Sequence, residues 1–182
     1  MAYTFSRVDP SALVMDDLRP LIESSFHQLL QNMKFPAQAD TDALKIAFLE
    51  QTLEPLINDP TAFIMRIDED DHTVSYNIGY VENGIYSNRF TFLRPNKAGS
   101  LSWAYDDQVS QARYNFLTSE GVTRVRGYFA TGSNIPAAMA QLSCYELETT
   151  TTIPVKPLVP GWSFEAFERQ VITYLLVDPS TR

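Results

Sequence analysis

Side chains with a wide chemical range are scarce and scattered in this sequence. Its single cysteine, Cys144, excludes an intramolecular disulfide and a multi-cysteine metal site. The two histidines, His27 and His72, lie far apart, one in a predicted helix and one in the acidic turn Asp68-Glu69-Asp70-Asp71-His72. No set of residues is spaced as metal ligands or as a nucleophile triad. With no histidine predicted beside it, Cys144 reads as a small buried residue rather than a nucleophile. What remains is a backbone feature. Lys97-Ala98-Gly99-Ser100 sets small residues and one cation just ahead of a predicted helix. The unpaired N–H groups and partial positive charge of a helix start can hold an anion, and glycine lets the backbone come close to it. A lone glycine before a helix has little specificity, so the surrounding elements must carry the case.

Those elements follow from periodicity and punctuation. Tyr3 to Val8 alternates as a short strand, and Asp9-Pro10 stops it. Pro20 predicts a break, with a short turn over Ser11 to Asp17 and a fresh helix from about Pro20 to Met33 whose buried face holds Leu21, Ile22, Phe26, Leu29 and Met33. Thr41 is a fitting N-cap for a helix carrying Ile46, Leu49, Leu53, Leu56 and Ile57, ended by Asn58-Asp59-Pro60. Three strands follow: Ala62 to Ile67, Val74 to Val81 and Ile85 to Leu93, joined by the acidic turn and by Glu82-Asn83-Gly84. After the loop Asn96 to Ser100 a helix runs to Glu120, with Tyr105, Val109, Ala112 and Phe116 as its buried stripe and Gly121 at its end. Val122 to Thr131 is a strand, and Asn134 caps a short helix. Leu147 to Val155, rich in threonine, is a half-exposed strand. Lys156 to Gly161 is a proline-rich loop, and Val171 to Val177 is the last strand.

Composition bounds the function. The chain has 182 residues, 45% apolar and 20% charged, enough for one domain, residues 1–182, with one sizeable core. The net charge of −8 argues against a nucleic-acid partner and an anionic membrane surface. An acidic surface can attract an amine, or simply keep the protein soluble. The first residues lack the basic start and apolar stretch of a signal peptide, and no apolar run approaches the roughly 20 residues of a spanning helix. The expectation is a cytoplasmic protein.

The order strand, two helices, three strands, helix, strand, helix, two strands resembles the GCN5-related N-acetyltransferase (GNAT) superfamily over nearly the whole chain. Tyr3 to Pro10 looks like its opening strand and turn, and Ala62 to Arg94 like its meander. Phe92-Leu93-Arg94-Pro95, the Gly99 loop and the following helix look like its coenzyme segment. Asn134-Ile135-Pro136-Ala137 looks like the start of its later helix. The resemblance implies an α/β (α+β) fold: a mixed, mostly antiparallel sheet of about six to seven strands with about four helices. It also implies acetyl-CoA as cosubstrate. Its diphosphate would be held by Asn96, Lys97, Ala98, Gly99, Ser100 and Leu101, its arm would lie along Phe92, Leu93 and Arg94, and Asn134 would stand at the later helix. The family loop usually reads Gln/Arg-x-x-Gly-x-Gly/Ala; here one glycine is kept and Leu101 takes the last small position.

By the same resemblance the reaction moves an acetyl group to a primary amine, on a small molecule, a protein N-terminus or a lysine. Where many members carry the tyrosine that protonates the departing thiolate, this chain has Gln141. Tyr145 reaches that role only by a shifted register and otherwise reads as a core or rim residue. Glu82 and Tyr128 are residues that can face the cleft. Glu82 stands as general base or as a solvated turn residue, and no metal is implied. A different class of function stays open: a GNAT-like domain that has lost catalysis and serves in binding or assembly, as a homodimer, with another partner, or associated with a phage virion.

Overall fold

The structure, a computed structural model, describes residues 2–13, 15–32, 35, 39–94, 102–154 and 169–182. The chain opens with strand β1 (Tyr3–Val8) and a 3₁₀ turn at Pro10–Ala12, whose cap Asp9 accepts hydrogen bonds from the Ser11 amide at 2.8 Å and hydroxyl at 2.6 Å. The same Asp-Pro-Ser/Thr device recurs twice. Asp59 accepts from the amide and hydroxyl of Thr61, and Asp178 from those of Ser180 at the 3₁₀ turn Pro179–Thr181. In each case the proline fixes the turn and the aspartate caps it.

Helix α1 (Met15–Asn32) runs straight through Pro20, where the sequence predicts a break. Proline in a helix costs about 3 kcal/mol. Burial offsets that cost: Leu18, Leu21 and Ile22 flank Pro20 and are all buried, and burying one such side chain is worth roughly 1.5–3 kcal/mol. Helix α2 (Asp42–Phe48) is capped by Thr41, whose hydroxyl accepts from the Leu44 amide. A π-helical turn (Leu49–Leu53) links it to α3 (Glu54–Ile57). The wider turn makes room for Pro55, whose ring would otherwise press on the carbonyl one turn back. Leu44, Ala47 and Phe48 are buried, whereas Ile46 is 52% exposed, against its expected place on the inner face.

The sheet comes next: β2 (Ala62–Glu69), β3 (His72–Glu82) and β4 (Ile85–Leu93). Two tight turns join them. Asp70 and Asp71 have φ of 47° and 68°, and Asn83 and Gly84 have 51° and 75°, the left-handed values a two-residue hairpin requires. A 3₁₀ turn (Ser102–Tyr105) leads to α4 (Asp107–Ser119), followed by β5 (Arg124–Ala130), a short helix α5 (Ile135–Met139), β6 (Tyr145–Ile153) and β7 (Arg169–Leu176). Seven strands form one sheet in the order β1-β2-β3-β4-β5-β7-β6. All neighbours are antiparallel except β4 and β5.

Two apolar layers hold the sheet between them. On one face α1, α2 and α3 pack Leu18, Ile22, Phe26, Phe48 and Leu53 against Ile64, Ile78 and Phe92. On the other, α4 and the segment before β6 pack Leu117 and Leu142 against Phe63, Tyr86, Val125 and Tyr174. The buried stripe of α4 is Val109, Ser110, Arg113 and Leu117, not the expected run through Ala112 and Phe116, because it follows a polar residue that an apolar count passes over. β6 is an edge strand exposed along nearly its whole length, which suits its threonine run.

Candidate active site

Strands β4 and β5 pair only at their starts, Ile85 with Arg124, Tyr86 with Val125 and Ser87 with Arg126. Beyond those pairs the ladder stops, yet β4 continues to Leu93 against β3 and β5 continues to Ala130 against β7. The two central strands diverge, opening the middle of the sheet. The register explains the departure. Between Ile78 and Gly79 the β3–β4 pairing slips by one residue, so that Asn88 faces Gly79 and Phe90 faces Ile78 with Arg89 as the extra residue. A side-chain carbon on Gly79 would lie 2.0 Å from the Ser87 carbonyl oxygen, so only glycine admits the bulge.

A cavity of about 500 Å³ fills the opening and extends under both helical layers. Its β3–β4 wall is a hydrogen-bonded chain. Tyr86 donates to Asn88 (3.1 Å), Asn88 to Thr91 (2.9 Å), Thr91 to Asn77 (2.8 Å), and Asn77 to Ser75 (3.2 Å). The Arg94 amide donates to Val74 across the β3 ladder at 3.0 Å. By alternation Leu93 and Thr91 therefore turn their backbone groups away from β3, toward the opening. At Leu93 both groups are already met: its amide donates to the Ser25 hydroxyl at 3.3 Å, and that hydroxyl donates to its carbonyl at 2.8 Å. On the β5 wall a side chain at Gly127 would lie 2.4 Å from the Phe129 ring, so Gly127 makes room for that ring at the edge of the cavity.

The charge inside is one-sided. Arg89, Arg113, Arg126 and Arg169 line the cavity, and no aspartate or glutamate among the described residues does. Outside it, Arg7, Arg19, Lys45, Arg66, Arg124 and Arg182 each have a carboxylate partner. The four cavity arginines have no carboxylate within ion-pair distance among the described residues. The acidic character read from composition, which could attract an amine, does not extend into this cavity among the described residues.

Tyr145 lines the cavity from the start of β6, buried and stacked on Tyr174 with ring centroids 5.6 Å apart. The Arg113 guanidinium stands 5.9 Å from its ring and 5.5 Å from that of Phe5. Burial pushes the Tyr145 hydroxyl well above the usual tyrosine range; Arg113 works against that push, and Cys144 and Tyr174 add to it. Arg113 is 6% exposed and one of its terminal nitrogens, Nη1, has no hydrogen-bond partner among the described residues.

The other sequence-derived residues divide clearly. Leu93 and Tyr128 line the cavity. Phe92 is fully buried in the α1–α3 layer, and Arg94 and Glu82 are not part of the lining. Glu82 is exposed beside the Asn83-Gly84 turn, at the end of the sheet where β4 and β5 are still paired. Asn134 precedes α5 but its side chain makes no capping bond; the Ser133 hydroxyl accepts from the Ile135 amide instead. Asn96, Lys97, Ala98, Gly99, Ser100 and Leu101 lie outside the described residues. The α-helix beyond them begins only at Asp107, and the Asp106 carboxylate caps it by accepting from the Gln108 amide at 2.8 Å. Sequence reading missed Ser25, the Gly79 bulge and the arginines, since only folding brings positions so distant in the chain together.

No family model and no curated protein matches this chain. Solved structures do. An acetyltransferase from Salmonella typhimurium that modifies the N-terminal serine of 50S ribosomal subunit protein L7/L12 superposes with a TM-score of 0.60, at 14% identity over 97% of this chain and 96% of that one. A ribosomal L7/L12 alpha-N-protein acetyltransferase in complex with coenzyme A gives 0.59, at 13% identity over 97% and 95%. An AAC(6′)-Ib structure with an aminoglycoside and acetyl-CoA gives 0.55, at 13% identity over 100% and 97%. A seven-stranded sheet parted between its two parallel strands, together with these full-length superpositions, gives this chain the fold of the GNAT acetyltransferases.

Proposed function

We propose that the protein is an acetyl-CoA-dependent N-acetyltransferase acting on a primary amine. The observation that carries the reading is the parting of β4 and β5 over a cavity large enough for a pantetheine arm and an acyl group. Neighbouring structures of the same fold are described in complex with coenzyme A or acetyl-CoA.

In this reading the arm lies along β4, where Thr91 turns its backbone toward the opening. Acetyl-CoA supplies an activated thioester. The neutral amine attacks its carbonyl carbon, the new C–N bond forms, the C–S bond breaks, and the thiolate leaves. Tyr145, which lines the cavity and is kept protonated by burial, is in this reading the group that gives the thiolate a proton. No carboxylate lines the cavity among the described residues to take the proton the amine sheds on attack; in this reading that proton passes to water, or restores the Tyr145 phenolate once its own proton has gone to the thiolate. The arginine-rich surroundings favour the neutral form of a bound ammonium, because like charges nearby lower its pKa.

Calorimetric titration with acetyl-CoA and release of free thiol in the presence of amines test the proposal. Binding in the micromolar range is expected, as is slower thiol release in Tyr145→Phe with an unchanged KM for acetyl-CoA. Absence of binding at millimolar coenzyme would contradict it.

A further inference from the structure

We infer that the acceptor is an amine that also carries an oxyanion, a carboxylate or phosphate, held by Arg89, Arg126 and Arg169 on the α1–α3 face of the parted sheet. The inference rests on the acetyltransferase reading and names its substrate class.

Three strands deliver the three cations. Arg126 is the last β5 residue paired with β4, at the apex of the opening. It is two residues before Tyr128 and therefore on the same face, opposite Val125 and Gly127. Arg89 is the extra residue of the β4 bulge, and its guanidinium lies over the Tyr128 ring, 4.4 Å from the centroid. Arg169 opens β7 opposite Ala130, two residues beyond Tyr128, which sets it on that face as well. The Tyr128 ring forms part of the floor between these cations. Arg126 donates to the Thr173 hydroxyl at 3.5 Å, and among the described residues this is the one hydrogen bond made by the three guanidinium groups. Arg169 is partly desolvated and feels the repulsion of Arg89, so bringing these cations together costs free energy.

Like charges gathered in a cavity of an acidic protein call for an anion, and planar guanidinium groups match carboxylate and phosphate oxygens in pairs. The coenzyme's diphosphate is separated from its thioester by the full pantetheine arm. With the thioester at the apex beside Arg89 and Arg126, the phosphates extend beyond Leu93. The anion at the apex is therefore the acceptor's own. Its negative group on the arginines leaves the amino group close to the thioester.

The test pairs kinetics with direct binding. At saturating acetyl-CoA, thiol release is compared for glutamate and phosphoethanolamine, for neutral ethanolamine and for the polycation spermidine. The anionic amines are expected to show kcat/KM at least about tenfold higher, and Arg126→Gln and Arg169→Gln to remove that advantage through acceptor KM while leaving acetyl-CoA affinity unchanged. The two anionic acceptors separate a carboxylate from a phosphate site, and preference for either supports the inference. Preference for spermidine or ethanolamine overturns it, as does a loss of acetyl-CoA affinity in the arginine variants, which would assign these cations to the coenzyme. Titration of N-acetylglutamate and N-acetylphosphoethanolamine into the coenzyme-free protein reads the site without turnover. About tenfold weaker binding in the variants is expected, and equal binding of both products to wild type and variants, or none to either, overturns the inference. Absent acetyl-CoA binding with intact product binding would instead count against the acetyltransferase reading alone.

Discussion

The Ser25 hydroxyl bonds both the amide and the carbonyl of Leu93, tying the middle of α1 to the end of β4 on the side where β4 has lost its strand neighbour. Ser25 is 6% exposed and Leu93 is half-buried. Ser25→Ala leaves two backbone groups unmet. We expect a loss of about 1–3 kcal/mol in unfolding free energy by denaturant titration. Thr, which keeps the hydroxyl, is expected to recover most of it. An unchanged midpoint in the alanine variant would show that water replaces the hydroxyl without loss.

Gly79 sets the opening from the other side of β4. A methyl group there meets the Ser87 carbonyl, and backbone cannot step aside as a side-chain tip can. Gly79→Ala is expected to destabilise the chain by about 1–3 kcal/mol or more and to weaken acetyl-CoA binding, because relief requires the bulge to shift. Measured by thermal melting and calorimetry, wild-type behaviour in both would separate the bulge from the parting of the strands.

Arg113 is a buried cation whose Nη1 has no hydrogen-bond partner among the described residues and whose guanidinium lies near the rings of Phe5 and Tyr145. Arg113→Met is expected to raise the unfolding free energy, read by denaturant titration, by about 1–3 kcal/mol, since an apolar side chain of similar length removes a desolvated charge. It is also expected to slow acyl transfer by altering the surroundings of Tyr145. A less stable Met variant would show that the two ring contacts outweigh desolvation.

The carboxylates of Asp9, Asp59 and Asp178 are held below the usual range, first by the hydroxyls and then by the amides of Ser11, Thr61 and Ser180. A depressed folded-state pKa gives stability that is present above the unfolded value of about 3.9 and is lost as pH falls through the folded value. Thermal stability should therefore decline below about pH 4. Asp59→Asn should make that decline shallower, because one proton-linked group is gone. An identical acid limb in the variant would deny Asp59 its share.

The order of strands, the two left-handed turns and the caps Asp9 and Thr41 were legible because they depend on neighbours in sequence. So was the strand Ile85 to Leu93. The phase of buried residues was harder to read. Pro20 signalled a break that the burial of Leu18 and Ile22 overrides, Ile46 points outward from a helix that buries Leu44, Ala47 and Phe48 instead, and Arg113 takes an inner position that counting apolar residues assigns elsewhere. Of the residues singled out from the sequence, Leu93, Tyr128 and Tyr145 line the cavity. The sign of its charge was hidden, because a net charge of −8 averages over a chain that gathers in one cavity four arginines without a carboxylate partner among the described residues.

The parting of β4 from β5 as a coenzyme site is tested most directly by following backbone amide resonances during titration with acetyl-CoA. We expect saturable shifts at Thr91 and Leu93 and from Val125 to Phe129, with a micromolar dissociation constant. Unmoved resonances in both strands at millimolar coenzyme, or shifts confined to other elements, would contradict it.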